Sequence, residues 1–120
     1  MKMDMRSEQL LVVENDFSFR LDLVMTLEDE GYPVLSTYNA DEAITLLHQQ
    51  DIKAVISDIR MPGSMDGIGL AQTVQMQWPH VPILLMSPEL SPEIVPPSIH
   101  LFVMPISPQH LATTIHRVLS

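Results

Sequence analysis

The sequence predicts an α/β domain in which a parallel sheet lies between two layers of helices. Short apolar runs of strand length alternate along the chain with segments whose apolar residues recur at helical spacing. The spacing between the runs also allows right-handed parallel crossovers, which place helices on both faces of a sheet. A chain of 120 residues with 46% apolar residues can bury one core, so we expect a single domain over residues 1–120.

Five segments are predicted to be strands. The first apolar run, LLVV, is typical of a strand buried on both faces. The second begins with Pro33, which is tolerated at the start of an edge strand. In chain order, the predicted strands cover residues 10–13, 33–37, 54–57, 81–86 and 101–103.

Four segments are predicted to be helices with one apolar face each. Gly31 should follow the first helix, Asn39 should cap the second, and the third should stop before Pro79. Ser107 and Pro108 are typical of a cap and a first helical turn, so they should open the last helix. Helix by helix, the inward residues should be Phe17, Leu21, Val24 and Met25; Ala40, Ala43, Ile44 and Leu47; Leu70, Ala71, Val74 and Trp78; and Leu111, Ile115, Val118 and Leu119.

Composition excludes several classes of function. The net charge of -9, from 15 acids and 6 bases, argues against direct nucleic-acid binding, which needs a basic surface. The absence of cysteine excludes disulfides, thiol catalysis and Cys-based zinc sites. No apolar run approaches the ~20 residues of a membrane span, and the start lacks the apolar core of a signal peptide. We therefore expect a cytoplasmic protein without a membrane partner.

Polar residues end three of the predicted strands. Glu14, Asn15 and Asp16 follow the first, Asp58 follows the third and Ser87 follows the fourth. The carboxyl ends of parallel strands meet at one edge of a sheet, so these side chains should converge there. An aspartate at the end of a buried strand is costly unless its charge is used. The residues alone also allow simpler roles, in which Asp58 caps the following loop and the acids after the first strand cap a helix.

Three separated motifs then carry a family resemblance. They are LVVEND after the first strand, SDIRMPGSMDG around the third, and ILLMS followed by VMP at the fourth and fifth. In this order and at these distances, they resemble the receiver domain of bacterial two-component response regulators over almost the whole chain. The resemblance implies a flavodoxin-like sheet with strand order 2-1-3-4-5.

The resemblance also implies a function for each strand-end residue. Asp58 would accept a phosphoryl group from a histidine kinase or phosphotransfer protein. Glu14, Asn15, Asp58 and the backbone carbonyl of Arg60 would hold Mg²⁺, which prefers oxygen ligands. Ser87 would contact the bound phosphoryl group. The output would be exerted by docking to a downstream protein.

Three residues depart from the family pattern. Asn15 stands where receivers usually place a metal-binding acid, so Mg²⁺ should bind more weakly. Met104 stands where a lysine pairs with the phosphoryl group, and a thioether can neither donate a hydrogen bond nor balance charge. Leu101 replaces the aromatic residue that responds to phosphorylation. These departures leave open an alternative, a pseudo-receiver that binds proteins with little or no phosphotransfer.

The segment between Ser87 and Leu101 is rich in proline. Because an interior proline costs a helix about 3 kcal/mol, the helix that receivers carry here should be shortened or absent. The four prolines are Pro88, Pro92, Pro96 and Pro97.

Two enzyme classes with related architectures are disfavoured. A flavin carrier would need a phosphate-binding loop after the first strand, where this chain is acidic. A haloacid-type phosphatase would need a second aspartate two residues after Asp58, and Arg60 stands there. We therefore expect a signalling module rather than an enzyme.

Overall fold

The computed structural model describes residues 9–87, 99–103 and 107–119. Within these residues the strands and helices follow the predicted alternation as far as the fourth strand. In chain order, the elements are β1 (Gln9–Val13), α1 (Phe17–Asp29), β2 (Val34–Thr37), α2 (Ala40–Gln49), β3 (Ile52–Asp58), α3 (Gly67–Gln77), β4 (Ile83–Ser87), β5 (His100–Val103) and α4 (Pro108–Leu119).

The five strands form one parallel sheet in the order β2-β1-β3-β4-β5, which confirms the predicted architecture. The chain moves outward from β1 to β2 and then crosses back to β3 on the other side of β1. This reversal creates a crevice beyond the carboxyl ends of β1 and β3. Val13 of β1 is paired with Ser57 of β3, so the residues that follow each of them are neighbours.

Helices cover both faces of the sheet. Leu11 and Val13 of β1 lie in the core beneath α2 and α3, whereas Leu10 and Val12 lie in the core beneath α1 and α4. All four side chains are fully buried, as expected for a central parallel strand. The predicted three-layer sandwich is therefore confirmed.

The predicted helix ends are also confirmed. Asn39 Oδ1 accepts the Glu42 N–H at 2.8 Å, and Ser107 Oγ accepts the His110 N–H at 3.0 Å. The first helix ends before Gly31, which adopts a φ of 99° in the left-handed region. Helix α3 ends at Gln77, before Pro79.

The predicted inward face of α1 is wrong. Phe17, Leu21 and Met25 are 66%, 45% and 54% exposed, whereas Leu23 and Leu27 are fully buried. Both sets repeat every four residues, so apolar periodicity alone does not decide which stripe faces the sheet. Of the predicted face only Val24 packs against the core. The predicted faces of α2, α3 and α4 are buried or half-buried.

Strand boundaries differ by up to two residues from those predicted. Val81 precedes β4 because its N–H bonds to the Trp78 carbonyl at 2.9 Å in the turn that closes α3.

Two expectations lie outside the described residues: the shortened helix between β4 and β5, and the position of Met104. None of the described helices has the length and apolarity needed to cross a membrane.

Candidate functional site

The structure brings the strand-end residues to one edge of the sheet. Glu14 follows β1, Asp58 ends β3 and Ser87 ends β4. Asp58 is paired with Met86, so Ser87 is the next residue along the neighbouring strand. Glu14 and Ser87 are only 4% and 1% exposed, and Asp58 is half-buried. Three polar side chains thus lie at the crevice that the sheet order creates.

Glu14 and Asp16, the two acidic residues in the turn after β1, make different contacts. Asp16 Oδ1 accepts the N–H groups of Ser18 and Phe19 at 3.0 and 3.4 Å, so Asp16 is the N-cap of α1. Glu14 Oε2 accepts the Asp16 N–H at 2.7 Å. The simpler capping role therefore applies to Asp16, whereas Glu14 also reaches Asp58.

Asp58 and Glu14 form a carboxyl pair. The pKa of Asp58 is raised to about 8, mainly by burial and in addition by a hydrogen bond to Glu14 and the negative charge of Glu14. The Asn15 N–H bonds to Asp58 and opposes this rise, while the charge of Asp16 adds to it. Because two adjacent carboxyls do not both ionise readily, the pair holds a proton at neutral pH unless a cation replaces it.

Backbone contacts fix the chain just after Asp58. The Ile59 N–H bonds to the Met86 carbonyl at 2.9 Å, and the Gly67 N–H bonds to the Ile59 carbonyl at 2.7 Å. A Cβ added to Gly67 would lie 2.0 Å from the Asp58 carbonyl oxygen and 2.7 Å from the Ile59 Cα. Only glycine fits there, so the first residue of α3 packs directly against the backbone of Asp58.

The loop between β3 and α3 is tied to α2. Gly63 in this loop has a φ of 109°, and the next residue, Ser64, donates through Oγ to both carboxylate oxygens of Asp41 at 2.9 and 3.0 Å. The loop ends at Asp66, whose side chain accepts the Gly69 N–H at 2.9 Å. Arg60, whose carbonyl is a predicted metal ligand, is exposed in the same loop.

Met61 and the predicted position Leu101 have different surroundings. Half-buried Met61 places its Sδ 3.8 Å from Ser57 Oγ, which also donates to the Asp58 carbonyl at 2.8 Å. Leu101 is paired with Leu85 in the sheet and is 39% exposed. Met61 thus lies next to the site, and Leu101 lies on the outermost strand.

Two features of the site were missed in the sequence. Gly67 occupies the first position of a helix, where glycine is a poor choice, and this oddity signalled a close backbone approach. Arg20 Nη1 donates to the Glu14 carbonyl at 2.7 Å. Its place in the first turn of α1, four residues after the capping Asp16, was the available signal.

The side-chain oxygen atoms near Asp58 suit a hard cation but carry little negative charge. Glu14, Asp58 and the Asn15 amide offer oxygen atoms, the ligands that Mg²⁺ prefers. Within the described ranges, however, no three His, Cys, Asp or Glu side chains are grouped as a metal site. The carboxyl pair, which needs a proton or a cation, fits Mg²⁺, and the neutral Asn15 supplies no third acid.

A cavity of about 420 Å³ lies away from this edge, at the opposite ends of the strands. Its lining includes Leu47, Ile52, Trp78 and Val81 and none of the strand-end residues. This cavity is therefore not part of the candidate site.

Comparison with known proteins identifies the family. The family model described as response regulator receiver domain matches residues 10–99. The chain belongs to this family. It is therefore a receiver domain of two-component signalling, a signalling module rather than a classical enzyme.

Relatives and solved structures agree with this assignment. Response regulator protein FleR of Pseudomonas aeruginosa is 37% identical over 79 residues, covering 66% of this chain and 16% of FleR. The probable transcriptional regulator ycf27 of Porphyridium aerugineum is 29% identical over 120 residues, covering 96% of this chain and 49% of that protein. The chain thus spans half or less of the length of these relatives.

Among solved structures, the chemotaxis response regulator CheY4 of Vibrio cholerae has a TM-score of 0.81 and 30% identity, with coverage of 93% of this chain and 98% of CheY4. TrrA of Thermotoga maritima, solved in complex with Mg²⁺-BeF, has a TM-score of 0.84 and covers 93% of this chain and 99% of TrrA. At 23% identity, TrrA supports the fold alone.

Proposed function

We propose that Asp58 accepts a phosphoryl group from a histidine kinase or phosphotransfer protein, within one receiver domain over residues 1–120. The observation that carries the proposal is the contact between Asp58, at the end of β3, and Glu14, after β1. A half-buried carboxyl that needs a proton or a cation is suited to a metal-assisted nucleophile. The modified domain would then act on a downstream protein.

The transfer is a displacement at phosphorus. An Asp58 carboxylate oxygen forms a bond to phosphorus, the P–N bond to the donor histidine breaks, and its electron pair returns to the imidazole, which takes up a proton. Before attack, Asp58 must lose the proton that it holds with Glu14. Ser87 would donate its hydroxyl to a phosphoryl oxygen.

Mg²⁺ would be held by Glu14, Asn15, Asp58 and the carbonyl of Arg60. When bound, it would neutralise charge on the carboxylates and on the transferred group. Because Asn15 is neutral and Met104 replaces the family's lysine, we expect transfer to be slower than in a typical receiver.

Intact-mass measurement tests this proposal. The protein is incubated with a small phosphodonor, with and without Mg²⁺, beside an Asp58→Asn variant. We expect partial addition of one phosphoryl group to the native chain, dependent on Mg²⁺ and absent from the variant. Modification that persists in Asp58→Asn would refute the assignment of Asp58.

The second candidate function is a pseudo-receiver that binds a protein partner without phosphotransfer. The observation that favours it is the neutral, exposed Asn15 beside the carboxyl pair. No modification under any donor or Mg²⁺ concentration would support this candidate, whereas rapid stoichiometric modification of Asp58 would exclude it.

A further inference from the structure

Arg20 connects α1 to the residue that faces Asp58. Its side chain is half-buried, and its Nη1 donates to the Glu14 carbonyl at 2.7 Å. The guanidinium carbon lies 5.5 Å from the centre of the Phe17 ring and 6.0 Å from that of Tyr38. Because the rings belong to α1 and to the connection after β2, Arg20 is restrained by two separate parts of the fold.

Glu14 is fixed by contacts on three sides of the same residue. Its N–H bonds to the Thr37 carbonyl at 3.0 Å, and its Oε2 accepts the Asp16 N–H at 2.7 Å. Arg20 supplies the third contact, to the carbonyl oxygen. Glu14 is only 4% exposed, so water is a poor substitute for this donor. Loss of Arg20 should therefore loosen the Glu14 backbone.

We propose that Arg20 is a positioning residue of the Asp58 site, acting through Glu14. The guanidinium fixes the Glu14 backbone and so keeps the Glu14 carboxyl against Asp58. A planar guanidinium both stacks on aromatic rings and donates in a fixed direction, which a lysine ammonium does not do. The inference rests on the proposed function for its connection to Mg²⁺, and on the described contacts for the positioning itself.

The positioning role of Arg20 and its positive charge predict opposite effects on Mg²⁺ binding when the side chain is removed. A positive charge near the site repels a divalent cation, so charge alone predicts tighter Mg²⁺ binding in Arg20→Met. Positioning predicts weaker binding, because Glu14 is no longer held. Arg20→Lys keeps the charge, so a charge effect leaves binding unchanged in that variant, whereas positioning predicts a partial loss.

Two measurements test the inference. Amide exchange of the Asp16 N–H, followed by NMR without metal, reports whether Glu14 Oε2 stays in place. Calorimetric Mg²⁺ titration reports the effect on the site. We expect about tenfold faster Asp16 exchange and about tenfold weaker Mg²⁺ binding in Arg20→Met, and about threefold changes in Arg20→Lys. Arg117→Met, which removes the same charge in the last turn of α4, is the control and should change neither beyond about twofold.

Three outcomes separate the possibilities. Unchanged Asp16 exchange, or tighter Mg²⁺ binding, in Arg20→Met would overturn the positioning role. An equal loss of protection at Val12 in the middle of β1 would also overturn it, because the effect would then be global. If the native protein does not bind Mg²⁺, the proposed function fails, and Asp16 exchange still decides whether Arg20 positions Glu14.

Discussion

The raised pKa of Asp58 makes a direct prediction about stability in the absence of divalent cations. Because the folded-state pKa lies above its ordinary value of 3.8, the stabilisation from Asp58 is complete below pH 3.8 and is lost as pH rises to about 8. Once Asp58 is ionised in both the folded and the unfolded protein, the free energy of unfolding would be lower by at most about 6 kcal/mol. Asp58 is only half-buried, so solvent screening lowers our expectation to about 1–3 kcal/mol.

Asp58→Asn isolates this effect, because the amide does not ionise. Between pH 3.5 and pH 9, without metal, the free energy of unfolding of the native protein should fall by about 1–3 kcal/mol relative to the variant. Urea unfolding at a series of pH values, with a chelator present, measures this difference. Asp51→Asn removes a carboxyl at the start of β3, at the opposite edge of the sheet, and is the control.

The reasoning is refuted if the native protein and Asp58→Asn keep the same stability difference across this range. It is also refuted if the native protein gains stability over the variant as pH rises. Either result would mean that Asp58 is less buried, or lies farther from Glu14, than the structure has it.

Three further predictions concern the loop and the site. Gly67→Ala should destabilise the protein by about 2–4 kcal/mol, since its Cβ meets the Asp58 backbone. In Gly69→Ala the only close contact of the Cβ is with the flexible Met65 side chain, so thermal melting should show a lower Tm for Gly67→Ala alone. Asn15→Asp should tighten Mg²⁺ binding by about tenfold or more, because it adds a charged ligand, and calorimetry that finds equal affinities would count against the ligand assignment. Met104→Lys should increase phosphorylation by a small donor, most of all together with Asn15→Asp. Intact-mass measurement of each variant at the same donor and Mg²⁺ concentrations checks this. Equal extents of phosphorylation in all variants would show that the missing lysine does not matter.

Much of the fold could be predicted because each element has its own local signal. Apolar runs of strand length, the Asn39 and Ser107 caps and the glycine after α1 are properties of short segments, and the structure keeps all of them. Parallel order then brings the strand ends to one edge, which is why the proximity of Glu14 to Asp58 was predictable.

The rotation of α1 was not predictable in this way. Its sequence offers Phe17, Leu21 and Met25 as well as Phe19, Leu23 and Leu27 at the same four-residue spacing. The second stripe is chosen by the sheet and α4, which the helix contacts only in the folded protein. Two stripes of equal periodicity are distinguished by packing and not by local sequence.

The sequence by itself determined the order of the elements and the chemical identity of the strand-end residues, because these depend on neighbours in the chain. Only the tertiary structure decided the properties of the site. The pKa of Asp58 depends on its burial and on Glu14, the need for Gly67 depends on the backbone of β3, and the role of Arg20 depends on two rings from different elements. Each depends on how the folded chain brings different elements together, and no local pattern encodes that distance.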